Sequence, residues 1–200
     1  PDAPEVKRTL AESAVRRARR NKAMFARLRE VGCPIEDAVE GDGLITRLHM
    51  ANALVKKGYA QSRAEAFDKF LLKGRPAFVR SENISIAQAV AVTHAAGGIA
   101  VLAHPCQIRA DKHAAVLAAV RDGIDGIEAF YPGTTEGERT LFLSLAQQHG
   151  LIVTCGSDFH GATRPAATLG CAFVPTPLLM PIMARQQKKK LGGSTPTQEH

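Results

Sequence analysis

The chain has 200 residues, of which 45% are hydrophobic, so it can bury a sizeable core and a disordered chain is not expected. No apolar run approaches the roughly 20 residues that a membrane span requires, and the first residues do not read as a signal peptide, so a cytoplasmic protein is expected. The formal net charge of +7 favours an anionic partner. The four cysteines form no CxxC pair and are expected to be reduced.

The first predicted element is a long basic helix over residues 5–31, which Gly32 and Pro34 bring to an end. Much of the positive charge lies in it, in a run from Arg16 to Lys22. This run is either a solvated helix face or a surface that attracts phosphate groups. The residues that can form the apolar stripe of the helix are Val15, Ala18, Met24, Phe25 and Leu28.

Two further helices are predicted before residue 80. One covers residues 46–57 and is ended by Gly58 as a C-cap. The other begins after Ser62, whose hydroxyl forms a capping box with Glu65 three residues later. Together these elements predict a small helical module, which we assign to residues 1–80.

Residues 81–187 alternate between predicted helices and short apolar strands. The strands read IAVLAH, GIEAFY and LIVTC, and helical segments precede and separate them. Strands that are apolar at nearly every position are typical of a parallel sheet covered by helices, so the fold class is predicted to be α/β. Residues 188–200 are polar and contain Gly-Gly and Thr-Pro, which favours a disordered tail.

Side chains that could carry chemistry follow these strands. His104 closes the segment AVLAHP, and Asp158 and His160 lie two residues apart in GSDFHG, so both can face one pocket. In parallel α/β barrels functional groups gather at such strand ends, and an imidazole with a carboxylate suits Mn, Fe or Zn. The alternative is that Asp158 caps a helix and His160 lies on the surface. Glu128 lies at a strand end. It either accepts a hydrogen bond from a ligand histidine or forms a hydrogen bond with a neighbouring loop.

Three segments, GGIAVLAHP, DGIEAFYP and LIVTCGSDFHG, resemble in order and spacing the later motifs of the PHP (polymerase and histidinol phosphatase) family. TRLHMANALVKKGY, SRAEAFDKFL and GRPAFVR resemble the helical insertion of its bacterial branch, which cleaves nucleoside 3',5'-bisphosphates and trims the 5' ends of short RNAs. The resemblance implies an irregular PHP-type (β/α) barrel with an inserted helical module, incomplete in this chain.

The resemblance also implies the site. Asp158 would bind a first metal ion, His104 a second and His160 a third, with Mn the first choice and Fe, Zn or Mg as alternatives. Arg47 and His49 match positions where the family places side chains over the substrate phosphate. The expected partner is a small nucleotide or a short RNA, and no membrane.

The family opens with a His-x-His pair and further metal ligands upstream of the insertion, and no His-x-His occurs in this sequence. This chain alone is therefore expected to be inactive or very weak, with the missing N-terminal segment supplied by a separate chain or as part of a longer protein. Two alternatives stay open: a metal-dependent amidohydrolase, and a non-catalytic basic fragment that binds RNA or nucleotide. The basic module and Arg47 favour phosphate chemistry over the first. Two tyrosines and no tryptophan give the second no stacking platform.

Overall fold

The structure is a computed structural model that describes residues 3–40, 44–160, 168–175 and 177–178. The chain divides into two compact units, residues 1–84 and residues 85–200. The tail predicted at 188–200 lies outside the described residues. No helix within the described ranges combines the length and the apolar character that a membrane crossing demands.

The first unit begins with the basic helix α1, Pro4–Glu30. Its apolar stripe starts later than the sequence predicted: Met24 and Leu28 are fully buried, whereas Val15 is 68% exposed and Ala18 is also exposed. The helical period identifies a face but does not say where along the helix that face finds a partner. The core of this unit reaches α1 only from Asn21 onwards, and the Asn21 amide donates to the carbonyl of Ile45.

Three short elements complete this unit after the 3-10 turn Glu36–Ala38. Helix α2 spans Arg47–Lys56 and helix α3 spans Arg63–Ala66, which continues as a π-helical turn over Phe67–Leu71. The Ser62 hydroxyl accepts the Glu65 N–H as predicted, while the Glu65 carboxylate accepts the N–H of Gln61. The buried side chains that hold these elements on α1 include Ile35, Met50, Leu54 and Leu71.

The second unit alternates helices and strands. In chain order it contains α4 (Ile86–Ala95), β1 (Val101–Leu102), a 3-10 turn (Pro105–Gln107), α5 (Lys112–Arg121), β2 (Gly126–Phe130), α6 (Glu136–His149) and β3 (Ile152–Cys155). Ser85 and Thr135 cap α4 and α6 with complete capping boxes, and Gly150 ends α6 in a left-handed conformation. These local signals explain why the helix ends fall close to those read from the sequence.

The strands form a parallel sheet in the order β1-β2-β3. The prediction of α/β structure with parallel strands is confirmed, although β1 is shorter than predicted, with two paired residues. Ile127 and Val153 pack with Val116 of α5 and Phe142 of α6 in one buried cluster. Since all strands run the same way, His104, Tyr131 and Asp158 follow the carboxyl ends of β1, β2 and β3.

The close approach of β2 and β3 yields a stability test at Gly126. A Cβ there would lie 2.3 Å from the Ile152 side chain and 2.9 Å from its carbonyl oxygen. We expect Gly126→Ala to lower the free energy of unfolding by about 1–3 kcal/mol, the usual cost of overpacking. Gly137→Ala is the matched control, because it meets open space in helix α6 and should be neutral or stabilising by up to about 1 kcal/mol. Equal urea midpoints for the two variants would contradict this packing.

Candidate functional site

The carboxylate of Glu128 joins the ends of the three strands. Its Oε2 atom accepts the main-chain N–H of His104 at 2.7 Å. Its Oε1 atom occupies the space beside Gly156, where a Cβ would lie 2.2 Å away. Of the two interpretations of Glu128, the structure therefore shows the bond to a neighbouring main chain, and the residue it holds is His104 itself.

His104 and Asp158 have unusual backbones. Their φ angles are 32° and 51°, and in the described part of the chain they are the two non-glycine residues with positive φ. This left-handed region is sparsely populated by residues with a Cβ, and each such residue costs on the order of 1–3 kcal/mol. Strain of this kind clusters at active sites and ligand clamps. The two strained residues are among those that the sequence singled out.

Tyr131 connects these two residues and was missed by sequence reasoning. Its ring meets the His104 ring edge-on, with centroids 5.7 Å apart, and its hydroxyl donates to Asp158 Oδ2 at 3.3 Å. The Gln107 amide donates in turn to the tyrosine oxygen at 2.6 Å. The signal that could have revealed Tyr131 is its position directly after β2, at the same edge as the other two residues.

His160 is oriented by its neighbour Asp158. Its Nδ1 lies 2.7 Å from the Asp158 carbonyl oxygen and 3.4 Å from Asp158 Oδ1. Because a carbonyl only accepts, Nδ1 carries the proton in this contact, and Nε2 of the neutral ring keeps its lone pair. A histidine that donates one ring N–H to a carbonyl is the usual state of a metal ligand.

The predicted ligands do not form a finished metal shell. Within the described ranges, no three His, Cys, Asp or Glu side chains are placed to hold an ion together. His104 and Asp158 share the Tyr131 contact, and His160 lies beside Asp158. The donor types suit a transition metal, while the number of donors falls below the roughly four that a closed site needs.

Arg47 and His49 lie at the start of α2, in the first unit. An Arg47 terminal nitrogen donates to the Val79 carbonyl at 2.6 Å, and the guanidinium lies 5.1 Å from the Phe78 ring centroid. Burial lowers the Arg47 pKa, and its Nε is buried with no hydrogen-bond partner among the described residues. The His49 Nδ1 accepts the Thr46 N–H at 3.0 Å, which leaves Nε2 of the neutral ring as a donor.

Two curated relatives are similar to this chain. The 5'-3' exoribonuclease Rnm of Escherichia coli (strain K12) is 36% identical over 161 residues, which are 76% of this chain and 54% of the relative. The 3',5'-nucleoside bisphosphate phosphatase of Chromobacterium violaceum is 28% identical over 181 residues, 88% of this chain and 63% of the relative. The chain thus spans between half and two thirds of the length of these proteins. No protein-family model matches it.

Two solved structures share the fold. One is a protein of Bifidobacterium adolescentis assigned provisionally as a metal-dependent phosphoesterase, with a TM-score of 0.78, 30% identity and coverage of 92% of this chain and 68% of the other. The second is an amidohydrolase of Chromobacterium violaceum with bound sulfate and no metal, with a TM-score of 0.76, 27% identity and coverage of 94% and 68%. The chain belongs to the PHP-type family of metal-dependent phosphoesterases.

The contact between Gly156 and Glu128 yields a second prediction. Gly156→Ala should lower the free energy of unfolding by about 1–3 kcal/mol, because the new Cβ collides with the carboxylate that holds His104. In a Glu128→Ala background the same change should cost little, since the Glu128 side chain supplies every close atom at this position. A double-mutant cycle by denaturant unfolding should give a coupling energy of about 1 kcal/mol or more. Additive effects would contradict the arrangement.

Proposed function

We propose that the protein is a metal-dependent phosphoesterase that removes the 3'-phosphate of nucleoside 3',5'-bisphosphates and trims short RNAs from the 5' end. The observation that carries this proposal is the pair His104 and Asp158, which have left-handed conformations after β1 and β3 and are linked through Tyr131, which follows β2 between them. The names of the E. coli and C. violaceum relatives support the substrate class. The chain spans 54% and 63% of the length of those relatives.

The metal centre is part of the same proposal. Asp158, His104 and His160 would bind a first, a second and a third divalent ion, with Mn the first choice and Fe, Zn or Mg as alternatives. The remaining donors, and the rest of an irregular PHP barrel, would come from a segment equivalent to the part of the longer relatives that this chain does not cover. When bound, such ions polarise phosphoryl oxygens and lower the pKa of a bound water towards neutrality.

The residues of this chain would prepare that chemistry by orientation. Glu128 fixes the main chain of His104, and the Tyr131 hydroxyl fixes one oxygen of the Asp158 carboxylate. Hydrogen bonds of this kind set the direction of a metal-binding side chain. His160 donates through Nδ1 to the Asp158 carbonyl, so Nε2 is the ring atom that would bind the metal.

Arg47 and His49 would bind the substrate phosphate. The planar guanidinium matches a pair of phosphate oxygens, and its charge would balance the negative charge that builds up during hydrolysis. The His49 tautomer is opposite to that of His160, because its Nδ1 is an acceptor. A donor at Nε2 suits a phosphate oxygen, whereas a lone pair there would suit a metal ion.

A second candidate is hydrolysis of a C–N bond, which the likeness to the C. violaceum amidohydrolase favours. Phosphate chemistry is better supported by the cationic environment of Arg47, since burial and, after it, the nearby charge of Arg47 lower the Arg20 pKa. An assay of the intact protein with nucleoside bisphosphate and with a panel of cyclic amides distinguishes the two. Phosphate release supports the proposal, and amide cleavage without phosphate release would overturn it.

Substitutions at the two strained residues test the metal centre. We expect His104→Asn and Asp158→Asn to lower Mn-dependent kcat/KM on nucleoside 3',5'-bisphosphate by about 100-fold or more, as loss of one electrostatic element does. Asparagine tolerates the left-handed region, so the backbone is retained. Tyr131→Phe keeps the ring contact and should weaken metal binding by about 10–100-fold. The control is His113→Asn, at an exposed position of α5. Unchanged bound Mn and kcat/KM in all variants would refute the assignment.

His49 offers a separation of stability from substrate binding. His49→Ala removes the acceptor for the Thr46 N–H and should lower the free energy of unfolding by about 0.3–1.5 kcal/mol. His49→Gln restores a capping box, because glutamine is a natural residue at the third helical position. We expect His49→Gln to melt like the parent protein but to show a raised KM for the bisphosphate. A parent-like KM in a folded His49→Gln protein would show that His49 serves the helix cap alone.

A further inference from the structure

The first unit contains a polar cleft between α1 and the segment that follows its other helices. Its volume is about 370 Å³, within the range of small-molecule sites. Arg16, Arg17 and Arg20 line it from α1, and residues 81–84 line it from the opposite side. All three arginines are half-buried. The cleft is formed within this unit and includes none of the residues assigned above to metal or substrate.

The carboxylates near this cleft leave most of its positive charge unbalanced. Glu82 lines the cleft but forms an ion pair with Arg19 at 2.6 Å. Arg16 donates to the Ser13 hydroxyl at 3.0 Å and lies 3.7 Å from Glu12, beyond normal hydrogen-bond length.

The other two arginines have neutral partners or none. Arg20 donates to Asn21 Oδ1 at 2.7 Å and to the Ser81 hydroxyl at 3.0 Å. Among the described residues the Arg17 side chain forms neither a hydrogen bond nor an ion pair.

The guanidinium groups also lie close enough to repel one another. Burial, then the charges of Arg47 and Arg17, lower the Arg20 pKa. Like charges three or four residues apart destabilise a helix. The pairs Arg16–Arg20 and Arg17–Arg20 have this spacing and therefore destabilise α1. Arg17 and Arg20 repel each other and have no carboxylate partner among the described residues, so an external anion that binds both would stabilise this part of α1.

We propose that this cleft binds a phosphate group, supplied by an RNA strand or by the second phosphate of a nucleoside bisphosphate. Guanidinium forks match phosphate oxygens in pairs, and Ser81 and Asn83 add neutral donors in the same cleft. The choice of these two ligands rests on the proposed function, whereas the anion site rests on the arginines alone.

The test compares Arg17→Gln with Arg8→Gln in the intact protein. Both substitutions remove one positive charge from α1, but Arg8 is exposed and lies outside the cleft. Binding of a fluorescent five-nucleotide RNA and of a nucleoside 3',5'-bisphosphate is measured by anisotropy and by calorimetry, with a chelator to prevent hydrolysis. We expect Arg17→Gln to raise the Kd about tenfold in one arm or both, and Arg8→Gln to leave it unchanged.

Salt dependence adds an independent readout. If the RNA arm responds, the slope of log Kd against log salt should fall by about 0.7 in Arg17→Gln, the value for one lost phosphate contact on a single strand. A loss limited to RNA identifies its backbone as the ligand, and a loss with the bisphosphate identifies the second phosphate. Equal affinities of Arg17→Gln and Arg8→Gln in both arms, with unchanged melting temperatures, would overturn the inference.

Failure of the anion site and failure of the proposed function are distinguishable. Phosphate release by the metal-loaded protein with no effect of Arg17→Gln on binding would refute the proposed anion site and would still support the proposed phosphoesterase activity. Binding that depends on Arg17 without phosphate release would support the anion site and refute the phosphoesterase activity.

Discussion

The geometry of the second unit depends on the hydrogen bond from the main-chain N–H of His104 to the carboxylate of Glu128. Strand β1 has two paired residues, so the sheet ladder ends before the chain reaches His104. Glu128, itself fixed in β2, supplies the missing constraint and also fills the space that Gly156 leaves open after β3. Tyr131 can then contact the His104 ring and the Asp158 carboxylate together. A bond between three strand ends thus determines where the polar side chains of this edge lie.

The sequence predicted what local chemistry determines and missed what distant contacts determine. Capping residues and glycines gave the helix ends, as Ser85 and Gly150 show, and apolar runs gave the parallel strands. Val15 is predicted to belong to the apolar stripe because a helical period is visible at every turn, whereas the residues of α1 are buried only from Asn21 onwards. Arg47 is predicted to bind phosphate from its place in the TRLH segment, and its contacts with Phe78 and Val79 come from a segment about 30 residues away. These contacts could not be predicted from a local sequence pattern.

The two units carry different kinds of charged and polar groups. The first unit keeps four guanidinium groups half-buried, those of Arg16, Arg17, Arg20 and Arg47. Partial burial strengthens their field because less water screens them. The second unit carries carboxylate and imidazole groups at its strand ends, and neighbouring residues fix their directions. The opposite tautomers of His49 and His160 follow this division, since one ring presents a proton and the other a lone pair. In each case a main-chain group decides the state of the imidazole.

The left-handed backbones at positions 104 and 158 mean that the residue best for folding differs from the residue present. For folding alone, glycine would be the preferred residue at both positions, and asparagine the next. A survey of all substitutions scored by protein abundance should therefore rank glycine at or above the resident histidine and aspartate. If His104 and Asp158 bind metal as proposed, the same survey scored by turnover would rank the resident residues first. A gap between the two rankings would measure how much stability this protein gives up to keep a histidine and an aspartate at the strand ends.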